Sequence, residues 1–125
     1  MPASPEIQID VETEYLDDHL PEEDNKYAFA YKIAIRNLSS ESVQLINRYW
    51  LITDGNGKKT EVHGPGVVGK QPIIAPGKCH RYVSAAIIDT PVGSMQGHYE
   101  MRDFKGQMFE APIKVFSLAV PHLIN

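Results

Sequence analysis

Residues 27–36 alternate without a break. Tyr27, Phe29, Tyr31, Ile33 and Ile35 fall on one parity, and Ala28, Ala30, Lys32, Ala34 and Arg36 on the other. A two-residue period puts one set on each face of a pleated strand, whereas a helix would scatter both sets around its axis. The same period runs through residues 7–15, where Ile7, Ile9, Val11, Thr13 and Tyr15 oppose Gln8, Asp10, Glu12 and Glu14. That segment reads as a half-exposed strand whose acidic face would guard an edge against pairing. Residues 43–53 are apolar on both parities: Val43, Leu45, Tyr49 and Leu51 on one, Ile46, Trp50 and Ile52 on the other. This predicts a central strand covered on both sides over part of its length. No window carries a helical period.

Turn chemistry divides the rest. Residues 16–25 break the alternation with Asp17, Asp18, Pro21 and Asn25, a loop. Asp54-Gly55-Asn56-Gly57 tolerates positive φ and predicts a hairpin, with a short strand returning over about Lys58–His63. Residues 64–77, rich in Gly and Pro, predict an extended loop with a short strand at Gln71–Ile74. Lys78–Ile88 reads as a strand, Val92–Gln96 as a connection, and Gly97–Arg102 with Gln107–Ser117 as a hairpin around Asp103–Gly106. On its second arm Phe109, Ala111, Ile113 and Val115 share a parity, and Pro112 marks an edge or a bulge. Leu118–Asn125 reads as a flexible C-terminal tail.

Seven or eight short strands, with turn signals every ~8–12 residues, predict an all-β fold: a two-sheet sandwich of the immunoglobulin or fibronectin type III kind. A closed barrel is the alternative, because periodicity does not separate the two. At 125 residues the chain fits a single domain, 1–125, with a core over about 5–118. A hydrophobic content of 42% excludes a wholly disordered chain. No run approaches the ~20 apolar residues that would cross a bilayer. Met1-Pro2-Ala3-Ser4-Pro5 lacks the basic and apolar segments of a signal peptide, and the single Cys79 has no internal disulfide partner, so a reducing cytoplasm is expected.

Charge is unevenly spread. Residues 1–25 hold nine acids and no Lys or Arg, whereas the remaining hundred residues carry twelve Lys and Arg against seven acids. A divalent cation at the acidic stretch (Asp17, Asp18, Glu22, Glu23, Asp24) or an anion on the basic body is compatible with this asymmetry. So is plain solvation of the surface. Without a dense basic stripe, nucleic-acid binding is not expected.

Gly64-Pro65-Gly66-Val67-Val68-Gly69 matches G-x-G-x-x-G. In dinucleotide-binding folds these glycines lead into a helix whose N-terminus receives a pyrophosphate. Here Lys70-Gln71-Pro72-Ile73-Ile74-Ala75-Pro76 follows, and its two prolines forbid a stable helix. Asp89 stands where a ribose-binding acid would, but without a βαβ unit around it. A weaker version remains: a backbone nest binding a phosphate group through the N–H groups of Gly66, Val67, Val68, Gly69 and Lys70, beside Gly64, with charge from Lys70 and Arg48 and help from Lys78 and Arg81. The alternative is that these glycines only turn the chain. Cys79 and His80 are neighbours and should point to opposite faces of a strand, which argues against a catalytic pair. The five histidines show no i,i+2 or i,i+4 pair with one another, so no metal site and no cofactor are expected. Trp50, Tyr49 and Tyr82 fit core or sheet-face packing.

Tyr31 through Asn37, Val43-Gln44-Leu45 with Arg48-Tyr49-Trp50, the glycine motif with Gln71-Pro72, Pro76-Gly77, Tyr82 with Ser84, Thr90-Pro91 with Gly93-Ser94-Met95, and Gly97-His98-Tyr99 form an ordered series. The series resembles the ApaG family, also named CorD, over roughly residues 5–118. The resemblance implies a fibronectin type III-like domain and an association with cobalt and magnesium tolerance, with no established enzymatic activity. It also implies a suggested pyrophosphate role for the loop at Gly64, Gly66 and Gly69, and a protein-interaction role by analogy with related domains of F-box proteins. Two functional expectations follow. One is a non-enzymatic module that binds an unidentified protein partner through a sheet face or edge. The other is a binder of a phosphate-containing small molecule or a divalent ion. Exposed strand edges would also allow a homo-oligomer.

Overall fold

The computed structural model describes residues 4–16 and 26–121; the acidic stretch after Leu16 and the end of the chain from His122 lie outside the described residues. Eight strands form among them: β1 (Ile7–Tyr15), β2 (Tyr27–Asn37), β3 (Val43–Asp54), β4 (Lys59–Pro65), β5 (Ile73–Ile74), β6 (Cys79–Ile88), β7 (Val92–Arg102) and β8 (Met108–Ala119). They make two antiparallel sheets, β1-β2-β6 and β4-β3-β7-β8, with β5 also paired to β3. No ladder joins the two sheets among the described residues, so the fold is the sandwich and not the closed barrel. No helix there is long and apolar enough to cross a membrane.

The alternation in β2 does what its period predicts. Phe29, Tyr31, Ile33 and Ile35 are buried between the sheets, opposite Ala86, Ser84, Tyr82 and His80 of β6. Cys79 pairs with Arg36 on the outer face, so the two neighbours Cys79 and His80 diverge. In β1 Ile7, Ile9, Val11 and Tyr15 are half-buried, Thr13 is exposed on the same parity, and Gln8, Asp10, Glu12 and Glu14 are exposed along a border of the smaller sheet.

Two β-bulges correct the simple reading of β3 and β8. The β3–β7 register slips between Leu45 and Asn47, leaving Ile46 as the extra residue. A bulge shifts parity by one, so Val43 and Leu45 point inward before it and Trp50 after it. The two-sided apolar pattern is therefore one buried face changing parity. Tyr49 lies on the outer surface, where it pairs with His63 and His98. The β7–β8 register slips where Met95 opposes Phe116 and Gly97 opposes Ile113. Ala111 and Ile113 are buried before the slip and Leu118 after it, while Val115, expected to share a face with Ala111 and Ile113, is 61% exposed.

Two boundaries also move. Val92–Gln96, expected to be a connection, is the first half of β7. Its Gly93 lies so close to β3 that a Cβ there would sit 2.7 Å from the Thr53 carbonyl oxygen. Strand β8 continues to Ala119, with Leu118 fully buried and the Val120 N–H bonded to the Pro91 carbonyl, so ordered structure outlasts the expected boundary at Ser117.

Both hairpins use the same local chemistry. Asp54 and Asp103 each accept two backbone N–H bonds on the carboxylate at 2.9 Å. Gly57 and Gly106 then turn the chain at φ +83° and +85°. In the core, Trp50 sits among Tyr31, Tyr99 and Phe116, with ring centroids 5.4, 6.4 and 5.8 Å away.

Candidate functional site

The bulge at Ile46 organises the glycine loop. Strand β4 runs along β3 as far as Pro65, opposite Asn47, and β5 resumes that border opposite Val43 and Gln44. Between them the chain leaves the sheet and returns. The Ile46 carbonyl holds both ends of this excursion, accepting from the Gly66 N–H at 2.8 Å and from Gln71 Nε2 at 3.0 Å. Within the loop Val67 and Lys70 exchange backbone hydrogen bonds of 2.8 and 3.0 Å. Val68 and Gly69 make the tip, with φ +49° and +76°. No helix follows Gly69; the chain passes through Pro72 into β5.

This geometry decides how the loop donors are used. Of the five N–H groups expected to line a nest, those of Gly66, Val67 and Lys70 are bonded to backbone carbonyls. The Arg48 guanidinium donates to the carbonyls of Pro65 and Gly66, each at 3.1 Å. Val68 and Gly69 retain free N–H groups at the tip, since no backbone carbonyl accepts from them.

Val67 is buried in the core, whereas Val68 is 64% exposed. A β-branched residue with positive φ is a genuine outlier, so the tip carries local backbone strain. A cleft of about 290 Å³ opens beside it, between the loop and β6. Tyr31, Trp50 and Val67 contribute apolar surface; Arg48, Tyr82 and Ser84 contribute polar groups; Val68, Gly69 and Val83 complete the lining. Tyr82 and Tyr99 share a hydroxyl–hydroxyl hydrogen bond of 2.5 Å. Burial pushes both phenols far above the usual tyrosine range. His80, on the inner parity of β6, is pushed below the usual imidazole value by burial and then by the positive charge of Lys70.

The structure thus brings Arg48, Val67, Val68 and Gly69 together at one cleft. Gly64 lies under the Arg48 guanidinium and Gly66 under the Lys70 carbonyl, so both shape the loop. Arg81 is not a helper: it lies opposite Ala34 on the outer face of the smaller sheet, in a groove with Asp10 and Glu12. Lys78 is in the turn before β6, its N–H bonded to the Ala75 carbonyl.

One group escaped the sequence reading. His98, Glu100 and Glu110 offer ligand atoms within 4.8 Å of one another on the outer face of the larger sheet. The signal was His-x-Glu on a strand, which puts both side chains on one face; a search for paired histidines passes over it. His63 and His98 flank Tyr49, with centroids 6.5 and 5.1 Å from its ring, and do not pair with each other.

Comparison with known proteins agrees with this architecture. The family profile described as the ApaG domain matches residues 17–103. Protein ApaG from Escherichia coli O1:K1 / APEC is 54% identical over 122 residues, 98% of each chain, as is Protein ApaG from Shigella boydii serotype 18. An X-ray structure of the Northeast Structural Genomics Consortium target SoR45 superposes with a TM-score of 0.90 at 46% identity, covering 94% of this chain and 89% of that one. With a family profile spanning most of the chain and relatives this similar along nearly its whole length, the chain belongs to the ApaG family.

Proposed function

We propose that this chain is a non-enzymatic β-sandwich module that docks a cytoplasmic protein partner at the glycine-loop cleft. One observation carries the reading: Val68 is held outward in a strained conformation beside the also exposed Val83, at the mouth of an aromatic-floored cleft. An apolar side chain kept in water at a conformational cost is explained by a partner that covers it. The border of β6 next to the cleft adds main-chain groups that an extended segment can pair with. The polar groups near the cleft suit docking better than proton transfer, since both phenols stay neutral and the arginine is bonded to loop carbonyls.

A photo-crosslinking residue at position 68 tests this, with exposed Thr60 as the control position. Capture of one protein at 68 and not at 60, abolished by Val83→Glu, is the expected result. Equal capture at both positions, or capture that ignores Val83→Glu, would sink the proposal.

A second reading, phosphate binding, keeps one supporting observation: the free Val68 and Gly69 N–H groups stand near Arg48. Pyrophosphate titration that moves those two amide signals at millimolar ligand would favour it.

A further inference from the structure

On the outer face of the larger sheet, β7 and β8 bring an imidazole and two carboxylates together. His98 and Glu100 are two residues apart on β7 and so share a face. Glu110 of β8 lies directly opposite Glu100. His98 Nε2 is 3.6 Å from Glu110 Oε2. Like charges placed directly opposite across two strands repel. Among the described residues, neither carboxylate is ion-paired with a Lys or Arg. Two residues outside the cluster hold it in position. Asn47 Nδ2 donates to Glu100 Oε1 at 2.9 Å, which leaves the other carboxylate oxygen available. The Tyr49 ring stacks on His98, and its hydroxyl donates to Glu61 at 2.7 Å.

We infer that His98, Glu100 and Glu110 form a binding site for a divalent first-row transition cation. The donor set is one nitrogen and two carboxylate oxygens. It suits zinc- or manganese-like ions, whereas magnesium prefers oxygen-only octahedra rich in water. A dication offsets the repulsion between the opposed glutamates, and the open sheet face leaves further coordination positions to water. Asn47 and Tyr49 are positioning residues: one orients a carboxylate, the other fixes the imidazole plane. The site shares no residue with the glycine-loop cleft, so it stands whether or not a protein docks there.

Titration of the isotope-labelled full chain with Zn²⁺, followed by NMR and calorimetry, tests the inference, with Mg²⁺ as the control. Saturable Zn²⁺ binding is expected, with shifts centred on His98, Tyr49 and Asn47, and none from Mg²⁺ at equal concentration. Glu110 is 66% exposed in its side chain, so Glu110→Gln leaves the fold intact and should weaken Zn²⁺ about tenfold or more. Asn47→Ala should weaken it by about tenfold through Glu100. Shifts centred on His63 or His80 and unchanged by Glu110→Gln would overturn the inference. So would the lack of saturable binding at millimolar Zn²⁺.

Discussion

Arg48 lies across the β3–β4 pair from Gly64, and a Cβ on that glycine would sit 3.2 Å from a guanidinium nitrogen. The same nitrogen donates to the carbonyls of Pro65 and Gly66. The first glycine of the motif thus makes room for the arginine that fixes the second. Arg48→Ala should cost about 1–2 kcal/mol in urea unfolding, the worth of partly exposed bonds from a charged donor. It should also speed amide exchange from Gly66 to Lys70. Arg48→Lys should recover little, because a single ammonium does not reproduce the fixed donor geometry of the guanidinium.

The other two glycines have separate reasons, and substitution should rank them. A Cβ at Gly66 would stand 2.4 Å from the Lys70 carbonyl oxygen, at φ +65°, whereas Gly69 has positive φ but nothing within 4 Å. Gly69→Ala should cost only the left-handed penalty of about 1–2 kcal/mol, and Gly66→Ala should cost clearly more, as read from melting temperatures. Val68→Asn should raise stability by about 1 kcal/mol, since Asn tolerates the left-handed region that Val resists. The same change should weaken crosslinking to the partner. A destabilised Val68→Asn protein would show that the tip holds no strain.

Tyr82 and Tyr99 satisfy each other, and Tyr99 is fully buried. Tyr82→Phe strands the Tyr99 hydroxyl and should cost about 1–3 kcal/mol. Replacing both should cost less than the two single changes added together, which a double-mutant cycle measures. Because both phenols are pushed far upward, their tyrosinate absorbance should appear only when alkali unfolds the chain.

His80 links the loop to acid stability. Its folded pKa lies below the ordinary imidazole value of about 6.5, so the unfolded chain binds more protons in the window between the two values. Its contribution is therefore fully present above about 6.5 and is lost as pH falls toward the folded value. NMR titration should show His80 protonating late. Lys70→Gln should raise its pKa part of the way, because burial is the larger cause and remains. An unshifted His80 in the intact chain would remove this coupling.

Strands whose signal is local were legible in the sequence. Alternation located β1 and β2, and the Asp-to-Gly spacing located both hairpins, because an aspartate bonding N–H groups two and four residues ahead needs no distant partner. The bulges were not legible, since the slips at Ile46 and beside Val115 exist only relative to the opposing strand. Only the second half of β7, Gly97–Arg102, was legible, and Val92–Gln96 was not. Gly93 and Gly97 each mark a close approach to β3, with a Cβ at 97 falling 1.9 Å from the Tyr49 carbonyl oxygen, and that approach exists only relative to the opposing strand. At the candidate site the sequence singled out the Gly64–Lys70 loop but not its bonding. How its N–H groups are spent depends on a carbonyl twenty residues upstream of Gly66, which no local pattern encodes.

The gap between β4 and β5 has a bearing on assembly. Along that border the larger sheet offers no uninterrupted row of main-chain groups, and at the far border Pro112 lacks an N–H to give. Both interruptions shorten the stretch of border to which a neighbouring molecule could add a strand. The departure of the chain that builds the cleft thus also limits the edge open to pairing.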